Sequence, residues 1–495
     1  MDDFGFPFWV RMAHFSNILF LSLLIRSGIE ILGGHPMLYW NDDCKPGSEW
    51  IRFTWKKMPR DRLWTAEDEK QPYSPWIALP GRDHLGIGRY WHFTAVLGWV
   101  ITGLLYVLLM VFNSEWNRLI PTSWDVFPGA LDAAKTYLSF EIPESPGLFN
   151  PLQQLAYFGV IFILSPLQIL TGIAMSPAVS GRYPWYTKLF GGRQAARSLH
   201  FIGLIAYLAF TVHHLAIVVA HGLGPELAMI VLGDMDATRQ QEILAIVIGV
   251  AGLVGITLVH VWATRASLEN PRRIQHLLQR IVDPARRIVF GRMESRQQYP
   301  ESRITAAPRP NGRPPRNEEF VSLLKSGFSS WHFEIGGLVE TPVSFTLEEL
   351  RSLPRSTQIT RHCCIQGWSY FAEWEGVRVE ELLKRCTPKP EARYLLFETF
   401  DEKWEAEGHG LGNFYTVIDL DQARHSQTLL AYDMNGAALP EEFGAPLRLR
   451  LESQLGFKMA KHISRLTLVE SFQDIGEGHA NWRADYLHYS EYAPI

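Results

Sequence analysis

Long apolar runs fill the first half of the chain, and short mixed runs fill the second. A helix needs about 20 mostly apolar residues to cross the hydrocarbon core of a bilayer. Five windows reach that length: Phe8–Leu32, Trp91–Phe112, Leu155–Met175, Leu199–Ala220 and Ile243–Ala263. Pro166, inside the third, would kink a soluble helix, but a membrane span tolerates it when neighbouring groups satisfy the freed carbonyl. From Phe320 onward, HFEIGGLV, YLLFETF and PLRLRL read as strands, with TLEELRSL and GVRVEELLKRC as helices between them. The pattern predicts a membrane all-α bundle of five helices over residues 1–265, a connector over 266–318 and a soluble mixed α+β domain over 319–495.

The connector opens on ASLENPRRIQHLLQRIVDPARRIVFGR, with Ile274, Leu277, Leu278, Ile281 and Val282 at helical spacing among arginines. Such a segment suits an anionic lipid surface, and equally a solvated helix. Pro308, Pro310, Pro314 and Pro315 then give residues 293–317 the composition of a semi-rigid linker. The net charge of −4 hides a local excess, since twelve arginines face four acids between Arg265 and Arg316. No stacking aromatics accompany them, which excludes a nucleic-acid partner.

The start of the chain, MDDFGFPFWV, has no cleavable signal pattern. Orientation then rests on the loops. Those after the first, third and fifth windows are rich in Lys and Arg, whereas the others hold little beyond Arg118, Lys135 and Arg239. Basic loops stay in the cytoplasm. The soluble domain is therefore expected there, with a periplasmic placement as the alternative.

Ionisable residues inside spans read as functional. His200 and His214 lie 14 residues apart, which returns to nearly the same helix face roughly 21 Å further along. Span direction matches His92 in depth with His200, and His14 with His214, so two bis-histidine haem b sites are predicted, one near each surface. The competing reading is four isolated histidines bonded to carbonyls. His213 points to another face, and His221 and His260 are read as interfacial or pore-side. The runs RMAHFSNILFLSLLIRSG, WHFTAVLGWVITGLLY, LAYFGVIFILSPLQILTGIAMSP and RSLHFIGLIAYLAFTVHH resemble the two-haem cytochrome b subunits of hydrogenases, formate dehydrogenases and thiosulfate reductases, over roughly residues 8–222.

Cysteines stand only at 44, 363, 364 and 386, without a CxxC pair. That excludes a disulfide framework, a zinc pattern, a c-type haem and an iron–sulfur cluster built by this chain alone. A thiol at 363 or 364 could be a nucleophile with His362 as base, or a soft-metal ligand. The residues themselves leave both open.

The run HCCIQGWSYFAEWEGVRVEELL, followed by LLAYDMNGAALPEEFGAPLRLRLESQLGFKMAKHISRLTLVE, resembles the sulfite-oxidase-like molybdopterin family, over roughly residues 319–472. In that family the molybdenum cysteine stands four residues before the Trp, which here is Trp368, so the resemblance makes Cys364 the ligand and Cys363 a bystander. It also implies Thr399 and Arg448 as pterin contacts, and Lys461, with Lys458 as a second candidate, on the cofactor phosphate. Asn311, beside Gly312, would be an upstream contact. Phe443 fills a place where the reductase branch carries Asn. Tyr370, His409 and Tyr415 are candidates for the substrate pocket.

Together these readings describe a molybdenum-dependent oxidoreductase of the bacterial inner membrane. It would carry molybdopterin and two haems b, and pass electrons between a small oxo-substrate, a sulfur compound, and the quinone pool. The haem at His92 and His200 would be the molybdenum's redox neighbour. The alternatives are a reductase of free or protein-bound sulfoxides or of N-oxides, and a non-catalytic electron-transfer module.

Overall fold

A computed structural model describes residues 6–59, 61–143, 149–404 and 410–495. Five of its helices are long and apolar enough to cross a membrane: α1 Phe8–Gly34, α2 Leu85–Phe112, α3 Pro151–Ala174, α4 Arg193–His221 and α5 Arg239–Glu269. Each contains most or all of one predicted window and extends it. Their outer faces expose Leu104, Leu105, Val212, Val247 and Leu258, as a bundle solvated by lipid requires. Exposed aromatics mark both ends, with Trp55 and Trp76 in the first connection and Trp124 and Phe140 in the second. In that second connection a short helix, Val126–Leu138, exposes Phe127, Leu131 and Leu138, and nothing in the apolar windows announced it.

The proline in α3 is accommodated by a π-helical turn over Gly159–Leu164. Ser165 Oγ donates to Val160 O (2.7 Å) and bonds Tyr207 Oη of α4 (2.6 Å). The hydroxyl reinforces the π turn just before Pro166 and ties it to α4.

Helix α6, Pro271–Phe290, follows α5 and buries Ile274, Leu278 and Val282 in a cluster with Ile87, Tyr90 and Trp91 of α2. Leu277, Ile281, Ile288 and Val289 stay exposed, while Phe290 at its end is buried against Ala178 and Val179. The helix is thus docked on the bundle along one stripe. Residues 293–317 are extended but are no free spacer. Arg296 N donates to Gly181 O, Tyr299 N to Ile359 O and Thr305 N to Phe371 O, and Pro310 O accepts from Ala66 N. Backbone bonds to both halves hold this segment along their seam.

A small hairpin, β1 Met37–Leu38 and β2 Ile51–Arg52, follows α1. The soluble domain then contributes β3 His332–Gly337, β4 Val343–Thr346, β5 Arg355–Cys363, β6 Ser369–Arg378, β7 Tyr394–Trp404, β8 Gly410–Asp419, β9 Leu429–Met434, β10 Ala437–Ala438, β11 Arg448–Arg450 and β12 Ile463–Val469, and ends with helix α7 Trp482–Leu487. One sheet runs β4-β3-β12-β7-β8 and the other β10-β9-β6-β5, with β11 on β9. Among the described residues, only the β3–β12 pair is parallel. Strand β3 alternates, turning Phe333 and Ile335 inward to a core with Phe397, Leu447 and Leu466. By contrast, β5 is buried without alternation from Gln358 to Cys363. The connector and the loop after α1 lie against it, through Gln297, Tyr299 and Asp42.

Candidate functional site

Strand β5 ends at Cys363 and β6 begins at Ser369, so Cys364 sits in the turn between them. Cys364 N donates to Trp368 O (3.0 Å) and Gly367 N to Cys364 O (3.1 Å). Gly367 adopts φ +119, and a Cβ there would come within 3.1 Å of the Arg197 guanidinium, so only glycine closes the turn against α4. Cys364 is fully buried, with Sγ 3.5 Å from Gln366 Oε1, which also accepts from Trp368 Nε1 (2.9 Å). Burial pushes this thiol up to about 12. A thiolate there needs a metal cation in place of the proton.

The nucleophile reading lacks its base. His362 Nδ1 accepts from Arg450 Nη1 (3.0 Å), and the other side of the ring abuts Gly456, where a Cβ would approach His362 Cε1 to 2.3 Å. Burial, with Arg448 and Arg450 nearby, holds His362 well below the ordinary imidazole range. Cys363 Sγ reaches only Arg361 O, at 4.0 Å.

Four of the residues singled out in the sequence meet around the loop at Glu441–Phe443. Lys461 Nζ donates to Asn311 O (2.8 Å) and Glu442 O (3.0 Å), and Arg448 Nη1 to Phe443 O (2.7 Å). Arg448 is buried, and among the described residues its Nε has no partner, nor does the enclosed Asn311 Oδ1. A buried cation and an orphaned acceptor are both costly; an anion relieves the first, and an N–H donor such as a pterin ring carries relieves the second. The donor set fits a phosphate-bearing pterin.

Thr399 lies on β7 in register with Ile463, two residues past Lys461, and its hydroxyl donates to Phe414 O (2.6 Å). Lys458 does not join the group, because its ammonium donates to Val417 O (3.0 Å) and Ala480 O (3.3 Å) and ties β8 to the segment before α7. Desolvation brings this lysine down to about 8. Tyr370 stacks on Trp368 (6.0 Å) and His362 (4.9 Å), beside Cys364. Tyr415 instead bonds Asp485 of α7 and Ile475 O. His409 lies outside the described residues.

The Cys364 turn rests directly on the bundle. Gly367 O accepts from Arg193 Nη1 (2.5 Å) and Gln194 Nε2 (2.8 Å) at the start of α4. Asp42 accepts from Gln194 N (2.8 Å) and from Arg361 Nη1 (2.8 Å), joining the first loop, α4 and β5. Arg197 donates to Met37 O and His35 O. Nearby, Glu69 bridges His35 Nδ1 (3.0 Å) and Arg309 (3.3 Å), and burial raises its carboxyl to about 7. Sequence reasoning missed all of these docking residues. The run GRQAARS was visible, but only as loop charge.

Within the bundle the predicted histidines pair. The ring centroids of His92 and His200 are 6.4 Å apart, and those of His14 and His214 are 6.2 Å apart. A metal about 2 Å from each of two opposed imidazole nitrogens, with each ring centre about 1 Å further, gives about 6 Å. Both separations suit bis-imidazole ligation.

His92 Nδ1 bonds Ser27 Oγ (3.1 Å), and His200 Nδ1 bonds Thr171 Oγ1 (3.1 Å). Both hydroxyl protons go to helix carbonyls, Leu23 O and Leu167 O, so each Nδ1 is the donor and each Nε2 keeps its lone pair for a metal. Gly28 and Gly172 leave room at these rings, where a Cβ would lie 3.8 and 3.7 Å away. His213 bonds Ala209 O on another face, and His221 bonds Tyr137 and Glu226.

Comparison with known proteins agrees with both halves. Residues 5–231 match the family model for prokaryotic cytochrome b561, and residues 322–474 match the oxidoreductase molybdopterin binding domain. The chain is 34% identical over 174 residues to a protein from Azospira oryzae named as the protein-methionine-sulfoxide reductase subunit YedZ1, covering 35% of this chain and 61% of that one. It is also 34% identical over 151 residues to the protein-methionine-sulfoxide reductase catalytic subunit MsrP of Xanthomonas axonopodis, covering 30% and 47%. The match thus spans about half to three-fifths of these relatives' own length. Among solved structures, the sulfane dehydrogenase SoxCD from Paracoccus pantotrophus aligns at 27% identity over 29% of this chain and 39% of that one, with a TM-score of 0.24.

Proposed function

From a chain that joins a membrane domain of the prokaryotic cytochrome b561 kind to a molybdopterin-binding oxidoreductase domain, we propose a sulfoxide reductase fed by the quinone pool through two b-type haems. The protein is a molybdenum-dependent oxidoreductase and a multi-pass membrane protein. When bound, the molybdenum group supplies two-electron oxygen-atom transfer and the haems supply one-electron carriage.

Cys364 is the molybdenum thiolate. Arg448, Lys461 and Asn311, with Thr399 adjoining, hold the pterin and its phosphate. His92 with His200, and His14 with His214, hold the haems. The observation that carries this reading is the bond from Arg193 and Gln194 to Gly367 O, three residues past Cys364. His200 lies seven residues along the same helix from Arg193, a rise of about 10 Å. Electrons therefore have a short, packed path between the two halves.

The substrate follows from the relatives. MsrP proteins are named as reductases of protein methionine sulfoxide, which favours sulfoxide reduction over oxidation of a sulfur compound. The soluble domain faces the cytoplasm, by loop charge. Leaving aside the docked Arg193 and Arg197, exposed Arg52, Lys56, Lys57, Arg62, Arg82 and Lys188 oppose exposed Lys135 and Arg239 on the other side.

The test is the haem absorbance of the purified, detergent-solubilised protein. Methionine sulfoxide, free or in a peptide, should reoxidise the reduced haems, and sulfite should leave the oxidised haems unchanged. Reduction by sulfite without reoxidation by sulfoxide would reverse the assigned direction.

A further inference from the structure

One ionisable pair inside the bundle belongs to neither haem site. Arg26 of α1 meets His260 of α5 toward the end that carries the soluble domain, with Arg26 Nη1 2.9 Å from His260 Nδ1 and His260 Nε2 2.8 Å from Ser22 Oγ. A guanidinium only donates, so Nδ1 is the acceptor and Nε2 carries the ring proton. Ser22 passes its own proton to Ile18 O (2.7 Å). Arg26 Nη2 reaches Pro75 O (2.6 Å), Ala78 O (2.9 Å) and Thr264 Oγ1 (2.8 Å). Its Nε is enclosed and has no partner. One donor is left over in a region that lipid surrounds.

The approach to this group is from the membrane. Val259, Val261 and Trp262 flank His260 and are exposed, while Trp76, 92% exposed, and Ile77 stand at the aqueous end. A fitting ligand has a planar apolar body that partitions into lipid and ring oxygens that accept from Arg26 and, in exchange for its bond to Ser22 Oγ, from His260 Nε2–H, so that Ser22 Oγ can accept a quinol O–H. The next residue of α1 faces the haem side, since Ser27 Oγ bonds His92 Nδ1. The group and the His92/His200 pair are therefore separated by little more than one helix, about 10 Å across.

We propose that Arg26, His260 and Ser22 bind the head group of a membrane quinone beside the His92/His200 pair, on the soluble-domain side of the membrane. The proposal rests on the quinol-fed reading of function above. Oxidising one quinol there would break two O–H bonds, release two protons toward the aqueous side that carries the soluble domain, and pass two electrons singly to the haem that His92 and His200 would hold, with the His14/His214 haem exchanging electrons through it. Reducing one sulfoxide on that same side takes up two protons and two electrons and releases one water. No net charge crosses the membrane.

The test uses the full-length, cofactor-loaded protein in liposomes, with menadiol as donor and methionine sulfoxide as acceptor. His260→Ala and Ser22→Ala should slow haem reduction by menadiol by about tenfold or more, the loss of one or more strong hydrogen bonds. Both should weaken equilibrium binding of menadione to a similar degree. The dithionite-reduced haem spectrum should be unchanged, which a merely structural role for His260 would not allow. His221→Ala, in the Tyr137–His221–Glu226 group at the opposite end, should leave the rate alone, and a potential-sensitive dye should report no voltage during turnover.

A His260→Ala protein that matches the wild type in rate and binding overturns the site, as does loss in His221→Ala instead, or a voltage on turnover. Wild-type haems that menadiol cannot reduce would overturn the quinol-fed reading itself, and the site with it.

Discussion

The bundle and the soluble domain both gather the side chains proposed to bind metals, by opposite means. In the bundle, one regular helix sets both depths, because His200 and His214 share a face of α4 and α1 and α2 each bring one partner to about 6 Å. In the soluble domain, Asn311, Phe443, Arg448 and Lys461 come from an extended segment, a loop, a strand and a turn. The turn that holds Cys364 is itself braced from outside, by Arg193 and Gln194. The haem sites are local products of helix geometry. The proposed molybdenum site draws on distant segments of the soluble domain and connector, and the docked bundle braces its turn.

The largest effect that breaks this comparison is chemical. Cys364→Ser removes the one soft ligand in the turn, so sulfoxide-driven haem reoxidation should vanish with the haem spectrum intact. Molybdenum content, measured with the spectrum, checks that the halves separate cleanly. Full activity in the variant would end the molybdenum assignment.

Next comes the docking itself. Asp42 and Arg361 are 4% and 2% exposed and 2.8 Å apart. Asp42→Ala strands a buried guanidinium and the Gln194 N–H, which should destabilise the docked state by about 3–5 kcal/mol. The denaturant midpoint followed by tryptophan emission reports it. Asp42→Asn keeps an acceptor for Gln194 N but no charge, and should fall between. Haem absorbance should survive denaturant concentrations that already abolish sulfoxide turnover, because only one half depends on the seam.

What the sequence disclosed divides along the same line. The 14-residue spacing and the five apolar windows needed only helix period and length, so the bundle and its histidine pairs could be read directly. Cys364 needed a family resemblance, because nothing in the residues alone separated a ligand from a nucleophile. The structure weakens the nucleophile through Arg450, 88 residues from His362, which occupies the imidazole nitrogen a base would use. Lys458 and Lys461 are three residues apart, and the resemblance ranks Lys461 first as the phosphate contact with Lys458 as second candidate. One turns to Val417 O and Ala480 O, the other to Asn311 O, a choice made by long-range packing. The arginines before His200 were visible as loop charge, yet their docking role depends on Gly367, more than 160 residues away. Periodic local order is legible from a single sequence, and convergence of distant segments is not.

The smallest effect tests whether the two histidine pairs are as alike as their spacing suggests. His200 donates from Nδ1 to Thr171 Oγ1, and His92 to Ser27 Oγ, whereas His14 Nδ1 is buried without a partner. An acceptor on the far nitrogen fixes the ring and makes the ligating nitrogen more basic, which favours ferric iron. The haem between His92 and His200 should therefore have the lower midpoint potential. Thr171→Val keeps the side-chain shape and removes that acceptor. It should weaken haem binding at this pair by about 10–100-fold, raise that haem's potential toward the other's, and leave the His14/His214 haem unmoved. Spectroelectrochemical titration resolves the two steps. Equal shifts in both haems would mean that Thr171 acts on the bundle as a whole, and an unchanged gap would mean that its hydroxyl does not tune the ligand.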